Sequence, residues 1–295
     1  NGYHTLDRWR LIASGATLNT SQQEFTLGQT DVPSQFKYFQ RIEVTTGDNN
    51  AGVDYRIEDV TTISGETVTL SFYAKGTNPA GGNMDLHCTQ NFGSGGSTAV
   101  TTLIDTYVLT SSWQRFTFTF TIPSISGKTV GTSSFIQIDN RQPDADTGTA
   151  AWTLDFTGVQ LEAGSNASSF AHESYADTLQ KCQRYYYRLD NLSINAAIGT
   201  GYNQSTTNSL VYIAFPSSMR DTPSSLETTG TAGEYDVLNV GTVNINTAVP
   251  YFQNTTLWGG YMNWEKSTGG KVAGQGCIGR MRSGTNSFLA WSAEL

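Results

Sequence analysis

The stretch WQRFTFTFTIP, residues 113–123, decides the fold class. Phe116, Phe118, Phe120 and Ile122 alternate with Thr117, Thr119 and Thr121, a period of two that puts the apolar side chains on one face of a strand and the hydroxyls on the other. Pro123 ends the strand by removing a ladder donor. ETVTLSFYAKG (66–76) repeats the pattern, with Val68, Leu70, Phe72 and Ala74 opposite Thr67, Thr69, Ser71 and Tyr73. KYFQRIEVTTG (37–47), SSFIQIDN (133–140) and WTLDFTGVQLEAG (152–164) read the same way. Between them GTNPAGGN, FGSGGST and RQPDADTGT have turn chemistry. Many strands at this spacing, with almost no helical periodicity, predict a β-sandwich or jelly roll.

Working outward, GVQLEAGSNASSFAHESYADTLQKCQRYYYRL (158–189) interrupts the β pattern. Val159 and Leu161 point inward and Gly164 closes the strand; Phe170 is expected to return over the sandwich edge. Ser174 with Asp177 three residues on forms a capping box, and Leu179, Cys182 and Tyr186 fall on one helical face. The spacing predicts a docked helical connector over 174–184, with the tyrosine run opening the first strand of a second domain. NSLVYIAFP, GEYDVLNVGTVNIN, KVAGQGCIGRMR and NSFLAWSAEL supply its strands. The expected organisation is all-β: a jelly-roll β-sandwich over 1–173, the connector 174–184, and a second, smaller β-sandwich over 185–295.

Composition sets limits. The 295 residues are 37% hydrophobic and only 14% charged, enough apolar material for packed cores. A net charge of −8 without a basic run speaks against nucleic-acid binding. No segment approaches the ~18 apolar residues of a helical membrane span. Cys88, Cys182 and Cys277 are odd in number, lack metal spacing, and read as free thiols of a protein matured in a reducing cytoplasm. The chain starts at Asn1 rather than at methionine, so a natural start upstream is expected.

LDRW (6–9), LSFYAKG, SWQRFTFTFTIP and the 158–187 seam together resemble a family of bacteriophage virion proteins, described as tail-fibre, capsid-appendage or carbohydrate-binding proteins. FPSSMRDTP (215–223) and the terminal SAEL are similar to the second-domain pattern of that group. The resemblance implies a carbohydrate-binding-module-like jelly roll and a small β-domain, assembled as a homotrimer with other capsid or tail proteins. Such a protein is made in the host bacterial cytoplasm and displayed on the virion surface. In the family the DRW motif follows a further N-terminal strand, whereas here only six residues precede Asp7.

Glycan recognition calls for exposed aromatic faces beside amides and carboxylates. Candidates in the first domain are Tyr73, Trp113 and Trp152, with Asn140, Arg141 and Gln142 at a strand end. In the second, YFQNTTLWGGYMNWEK (251–266) gathers Tyr251, Trp258, Tyr261 and Trp264, its Gly-Gly pair suggesting a loop that faces a glycan or another subunit. PDADTG offers Asp144 and Asp146 for a structural calcium ion; the resemblance adds Asp155, since jelly-roll sugar-binding modules use an aspartate of the last strand. Catalysis is not expected. GQGCIG (274–279) lacks a following helix, no G-x-S-x-G elbow exists, and His4, His87 and His172 stand in unrelated contexts. Three readings stay open: a virion appendage adsorbing weakly and multivalently to host-surface glycans, a decoration or spacer protein without a ligand, and a glycan depolymerase.

Overall fold

The computed structural model describes residues 9–33, 35–48, 50–171, 173–190, 195–282 and 287–294. The chain divides into two compact units, 1–172 and 173–294. His4, His172 and the first three residues of LDRW lie outside the described residues.

The first unit is built from β1 (Arg10–Ile12), β2 (Thr17–Glu24), β3 (Tyr38–Thr46), β4 (Gly52–Glu58), β5 (Thr67–Thr77), β6 (Met84–Asn91), β7 (Val100–Tyr107), β8 (Gln114–Thr121), β9 (Phe135–Arg141) and β10 (Trp152–Ala163). They form two antiparallel five-stranded sheets, ordered β1-β4-β9-β6-β7 and β2-β3-β10-β5-β8. Alternation sets the inner faces: Val68, Leu70, Phe72 and Ala74 are buried, and Phe118 and Ile122 join them from the neighbouring strand. Thr69 and Thr119 meet hydroxyl to hydroxyl on the opposite face. A bulge between Thr157 and Gln160 breaks the β10–β5 register. Gly158 sits there at φ +60°, and an added Cβ would lie 2.5 Å from Phe36 Cζ, so glycine lets that ring rest on the strand.

In the second unit α1 (Tyr175–Gln183) precedes β11 (Tyr186–Asp190), β12 (Ala196–Asn203), β13 (Asn208–Ala214), β14 (Ser225–Thr228), β15 (Tyr235–Asn239), β16 (Thr242–Ile245), β17 (Tyr251–Thr256), β18 (Gly259–Glu265), β19 (Gly276–Met281) and β20 (Phe288–Ser292). A three-stranded sheet, β11-β20-β14, faces a seven-stranded one, β16-β15-β19-β12-β13-β18-β17. Val211, Ile213, Met262 and Trp264 of the larger sheet pack with Leu289 and Trp291 of the smaller. Among the described residues the architecture is therefore all-β with one short α-helix and a single 3-10 turn at Ala232–Glu234.

The helix starts as its capping box requires: the Asp177 backbone N–H donates to Ser174 Oγ at 3.2 Å and Ser174 Oγ donates to Asp177 Oδ2 at 2.6 Å. Within the second unit no helix residue is buried, Leu179 is exposed, and Thr178, Cys182 and Gln183 are half-buried. Its four apolar residues, Tyr175, Ala176, Leu179 and Cys182, do not form a buried stripe, and Tyr175 is among the most exposed rings of the described residues. Cys88 and Cys277 are buried free thiols and Cys182 is half-buried. No described helix is long and apolar enough to cross a membrane.

Candidate functional site: an aromatic cleft in the first unit

The β2–β3 connection brings aromatic rings back against the strands it joins. Phe36 packs on Phe170 at 5.0 Å and on Tyr73 at 5.8 Å between ring centroids. Phe39, Phe25 and Trp113 form a triangle with centroid distances of 4.9 to 5.2 Å, and Lys75 Nζ stands over Phe39 and Trp113. Trp9 meets Phe156 edge-on at 5.0 Å. Between these groups lies a cleft of about 290 Å³, lined by Trp9, Gln22, Phe36, Tyr38, Phe39, Gln40, Phe156, Thr157, Gly158, Val159 and Phe170. Six rings, two glutamine amides, a hydroxyl and no charged side chain line it. The buried Gln40 donates to Thr20 Oγ1 at 3.1 Å, and Thr157 Oγ1 donates to the Tyr38 carbonyl at 3.0 Å. An apolar concavity with a few held polar groups is how small uncharged ligands are bound.

Beside the cleft, Arg41 and Asp155 are register partners on β3 and β10. Their bonds are bidentate, Nε to Oδ1 at 2.7 Å and Nη2 to Oδ2 at 2.8 Å. The hydrogen bond to Asp155 raises the Arg41 pKa against the cost of burial. Arg41→Ala is expected to cost about 2 kcal/mol in denaturant unfolding, less than for a fully buried pair because Arg41 is a third exposed. Unchanged stability would show that water already screens the pair.

The sequence candidates scatter. Tyr73 and Trp113 join the aromatic cluster as half-buried rings. Trp152 is 1% exposed in the core and cannot reach a sugar. Its Nε1 donates to Gln142 Oε1 at 3.2 Å, and Gln142 Nε2 in turn donates to the carbonyls of Asp146 and Gly148. Asn140 is buried between the sheets, accepting from Tyr107 Oη at 3.1 Å. Arg141 pairs with Asp144 at 2.9 Å and donates Nε to His87 Nδ1. The 143–150 loop is thus stitched by Gln142 and by Asp146, whose carboxylate accepts from the N–H groups of Gly81 and Gly148. Asp144, Asp146 and Asp155 do not converge, and no group of three or more His, Cys, Asp or Glu among the described residues is placed to hold a metal ion.

In the second unit Trp264 is fully buried, whereas Tyr251, Trp258 and Tyr261 are exposed. The Gly-Gly pair is not a loop: Gly259 and Gly260 open β18, where a Cβ on Gly259 (φ +156°) would lie 2.5 Å from the Ile213 carbonyl oxygen and 2.6 Å from Tyr212 Oη. None of the sequence candidates lines the cleft: the sequence reading missed all six of its rings, Trp9, Phe36, Tyr38, Phe39, Phe156 and Phe170, and both glutamines. The one available signal was the crowding of aromatics at 36, 38 and 39 beside polar β2.

The other five-stranded sheet carries charge where the cleft has none. Arg10, Asp54, Asp139 and His87 are register partners across β1, β4, β9 and β6. Asp54 and Asp139 are 0% and 3% exposed. Arg10 holds Asp54 through Nε and Nη2 at 2.7 to 3.0 Å, while Asp139 Oδ1 has no hydrogen-bond partner among the described residues. Burial first, then the Asp54 charge, pushes Asp139 up to about 7. Burial pushes His87 down to about 4, aided by the Arg141 charge.

Residues 17–135 match a family model described as a carbohydrate binding domain, under half of the chain. No curated protein matches. Among solved structures, the chain is similar to the N-terminal endo-1,4-beta-D-xylanase 10B of Clostridium thermocellum in complex with xylohexaose, with 12% identity, 55% of this chain and 27% of that one covered, and a TM-score of 0.35. It thus spans about a quarter of that xylanase. A xylan-binding domain from Paenibacillus barcinonensis shares 13% identity over 54% of this chain and 93% of its own, with a TM-score of 0.35. The N-terminal cellulose-binding domain of Cellulomonas fimi beta-1,4-glucanase C shares 23% over 44% and 80%, with a TM-score of 0.32.

Proposed function

We propose that the first unit is a non-catalytic glycan-binding module, and that the chain serves as an attachment protein displayed in many copies on a bacteriophage particle. The cleft carries the first part of this reading. The accessible rings Phe36, Tyr38, Phe39 and Phe170 offer apolar faces to a pyranose above a buried floor of Trp9 and Phe156, the exposed Gln22 offers an amide to its hydroxyls, and the absence of charge suits a neutral sugar. The carbohydrate binding domain match over 17–135 supports it, since that segment contains Gln22, Phe36, Tyr38, Phe39 and Gln40. The particle setting is supported by the likeness of the 158–187 seam to virion proteins. A small cleft gives weak single-site binding, and linked copies, as in a homotrimer, raise it by avidity.

The test is retardation of the full chain in native gels containing soluble xylan or host-envelope polysaccharide. Tyr38→Ala removes an exposed ring and is expected to weaken binding about three- to tenfold, with the fold intact. Equal retardation of wild type and variant would remove the cleft from the mechanism. Retardation is expected to survive a calcium chelator, because Asp144, Asp146 and Asp155 are each engaged by protein donors; loss on chelation would place a structural calcium ion in the module. An antibody to the chain should label particles from the culture that produces it. Unlabelled particles would leave the glycan module without its viral setting, and no binding to any polysaccharide would leave a decoration or spacer protein.

A further inference from the structure

The outer face of the seven-stranded sheet holds a second aromatic array. Thr200, Tyr212, Tyr261 and Asn254 are register partners across β12, β13, β18 and β17. The next row is Tyr202, Leu210, Asn263 and Tyr251, two residues along on β12, β13 and β18 and three along on β17, where the register shifts between Phe252 and Asn254. The four tyrosines are 37 to 44% exposed, while Leu210 and Asn263 between them are buried, so the rings stand around a lower floor. Tyr212 and Tyr261 lie 5.2 Å apart between centroids. Gly259 allows this, since any side chain there would strike Tyr212 Oη. Amides run alongside: Asn208 Nδ2 donates to Asn263 Oδ1 at 2.6 Å and Asn263 Nδ2 donates to Gln253 Oε1 at 2.7 Å. Each amide is oriented by its neighbour, and the series ends in the exposed Gln253.

We infer that this tyrosine array is a second glycan platform, on which a stretch of neutral polysaccharide lies across β12, β13, β18 and β17. The charge pattern selects the ligand. The chain carries 25 acidic and 17 basic residues, yet none of the eight positions in the two rows is charged, which favours neither an anionic nor a cationic partner. Tyrosine joins a flat apolar face to a hydroxyl, and the aligned amides add donors and acceptors, the combination that sugar rings match. The tyrosine patch taken alone is too small for a protein partner. Four strands at about 4.8 Å spacing span roughly 14 Å, a patch well short of the ~800 Å² per partner that a stable protein interface needs. Toward β16 the face continues through Ile278, Leu238 and Val243, so a second copy of this chain covering the whole face is the competing occupant.

The platform is independent of the first-unit cleft, and the experiment separates them. The full chain carrying Tyr38→Ala is run in native gels containing xylan, hydroxyethylcellulose or mannan, alone and with Tyr212→Ala/Tyr261→Ala or Tyr212→Phe/Tyr261→Phe. At least one probe is expected to retard the Tyr38→Ala chain. The added alanines should weaken that retardation about tenfold or more, and the phenylalanines by no more than about threefold, because stacking survives without the hydroxyl. Unchanged retardation in the alanine variant overturns the platform, as does no retardation of the Tyr38→Ala chain by any of the three. If the alanines leave binding unchanged but turn a sedimenting oligomer into monomer, the face belongs to a second copy. A failed cleft with an intact platform shows as retardation insensitive to Tyr38→Ala and sensitive to the tyrosine pair.

Discussion

Asp139→Asn is expected to stabilise the first unit at pH 8 by about 2–4 kcal/mol and to leave it almost unchanged at pH 4. Asp139 is buried opposite Asp54, and its pKa is raised from 3.8 to about 7. Arg10, bonded to Asp54, favours the proton of the pair residing on Asp139. The sign follows from linkage. Below about pH 4 the carboxyl is protonated in folded and unfolded chains alike and contributes nothing. Between pH 4 and 7 the folded state holds a proton that the unfolded state has lost, so stability falls as pH rises, and above 7 the penalty is complete at roughly 4 kcal/mol. Asparagine keeps the shape and removes the ionisation. Calorimetry of the full chain from pH 4 to 8 should show the steep decline of one transition flattened in the variant. An unaltered slope would mean that Asp139 is already ionised, or neutral, throughout this range.

The second large effect is expected at Trp152. Trp152→Ala opens a cavity among Leu154, Phe156 and the facing sheet and removes the hydrogen bond that steadies Gln142, the organiser of the 143–150 loop. A loss of about 3–5 kcal/mol is expected in denaturant unfolding, whereas Tyr38→Ala should stay within about 0.5 kcal/mol. Xylan retardation by Trp152→Ala chains that remain folded should match wild type. Weakened binding at unchanged stability would restore Trp152 as a sugar-stacking ring.

Both effects bear on what could be read in advance. Trp152 shares strand parity with Leu154 and Phe156, Trp264 with Met262, and Asn140 with Ile136 and Ile138. Alternation points these three inward, although their aromatic or amide chemistry is that of a binding surface. By the same rule Tyr212, flanked by the buried Val211 and Ile213, faces outward. The Gly-Gly pair misled because glycine serves loops and close strand packing equally. The helix is legible from its cap, whereas the exposure of its four apolar residues is a property of the folded unit.

By itself the sequence determined the all-β class, the inward and outward face of most strands, the hairpin turns and the helix start. Each depends on residues within a few positions of one another, where backbone geometry and side-chain period act directly. Only tertiary structure decided the sites. The cleft joins Trp9, Phe36, Phe156 and Phe170, and the acid pair joins Asp54 to Asp139 across 85 residues. Strand order and register bring such residues together, and both are settled by burying whole sheets against each other. The raised pKa of Asp139 has the same origin, since its burial and its charged neighbour exist only in the folded sheet.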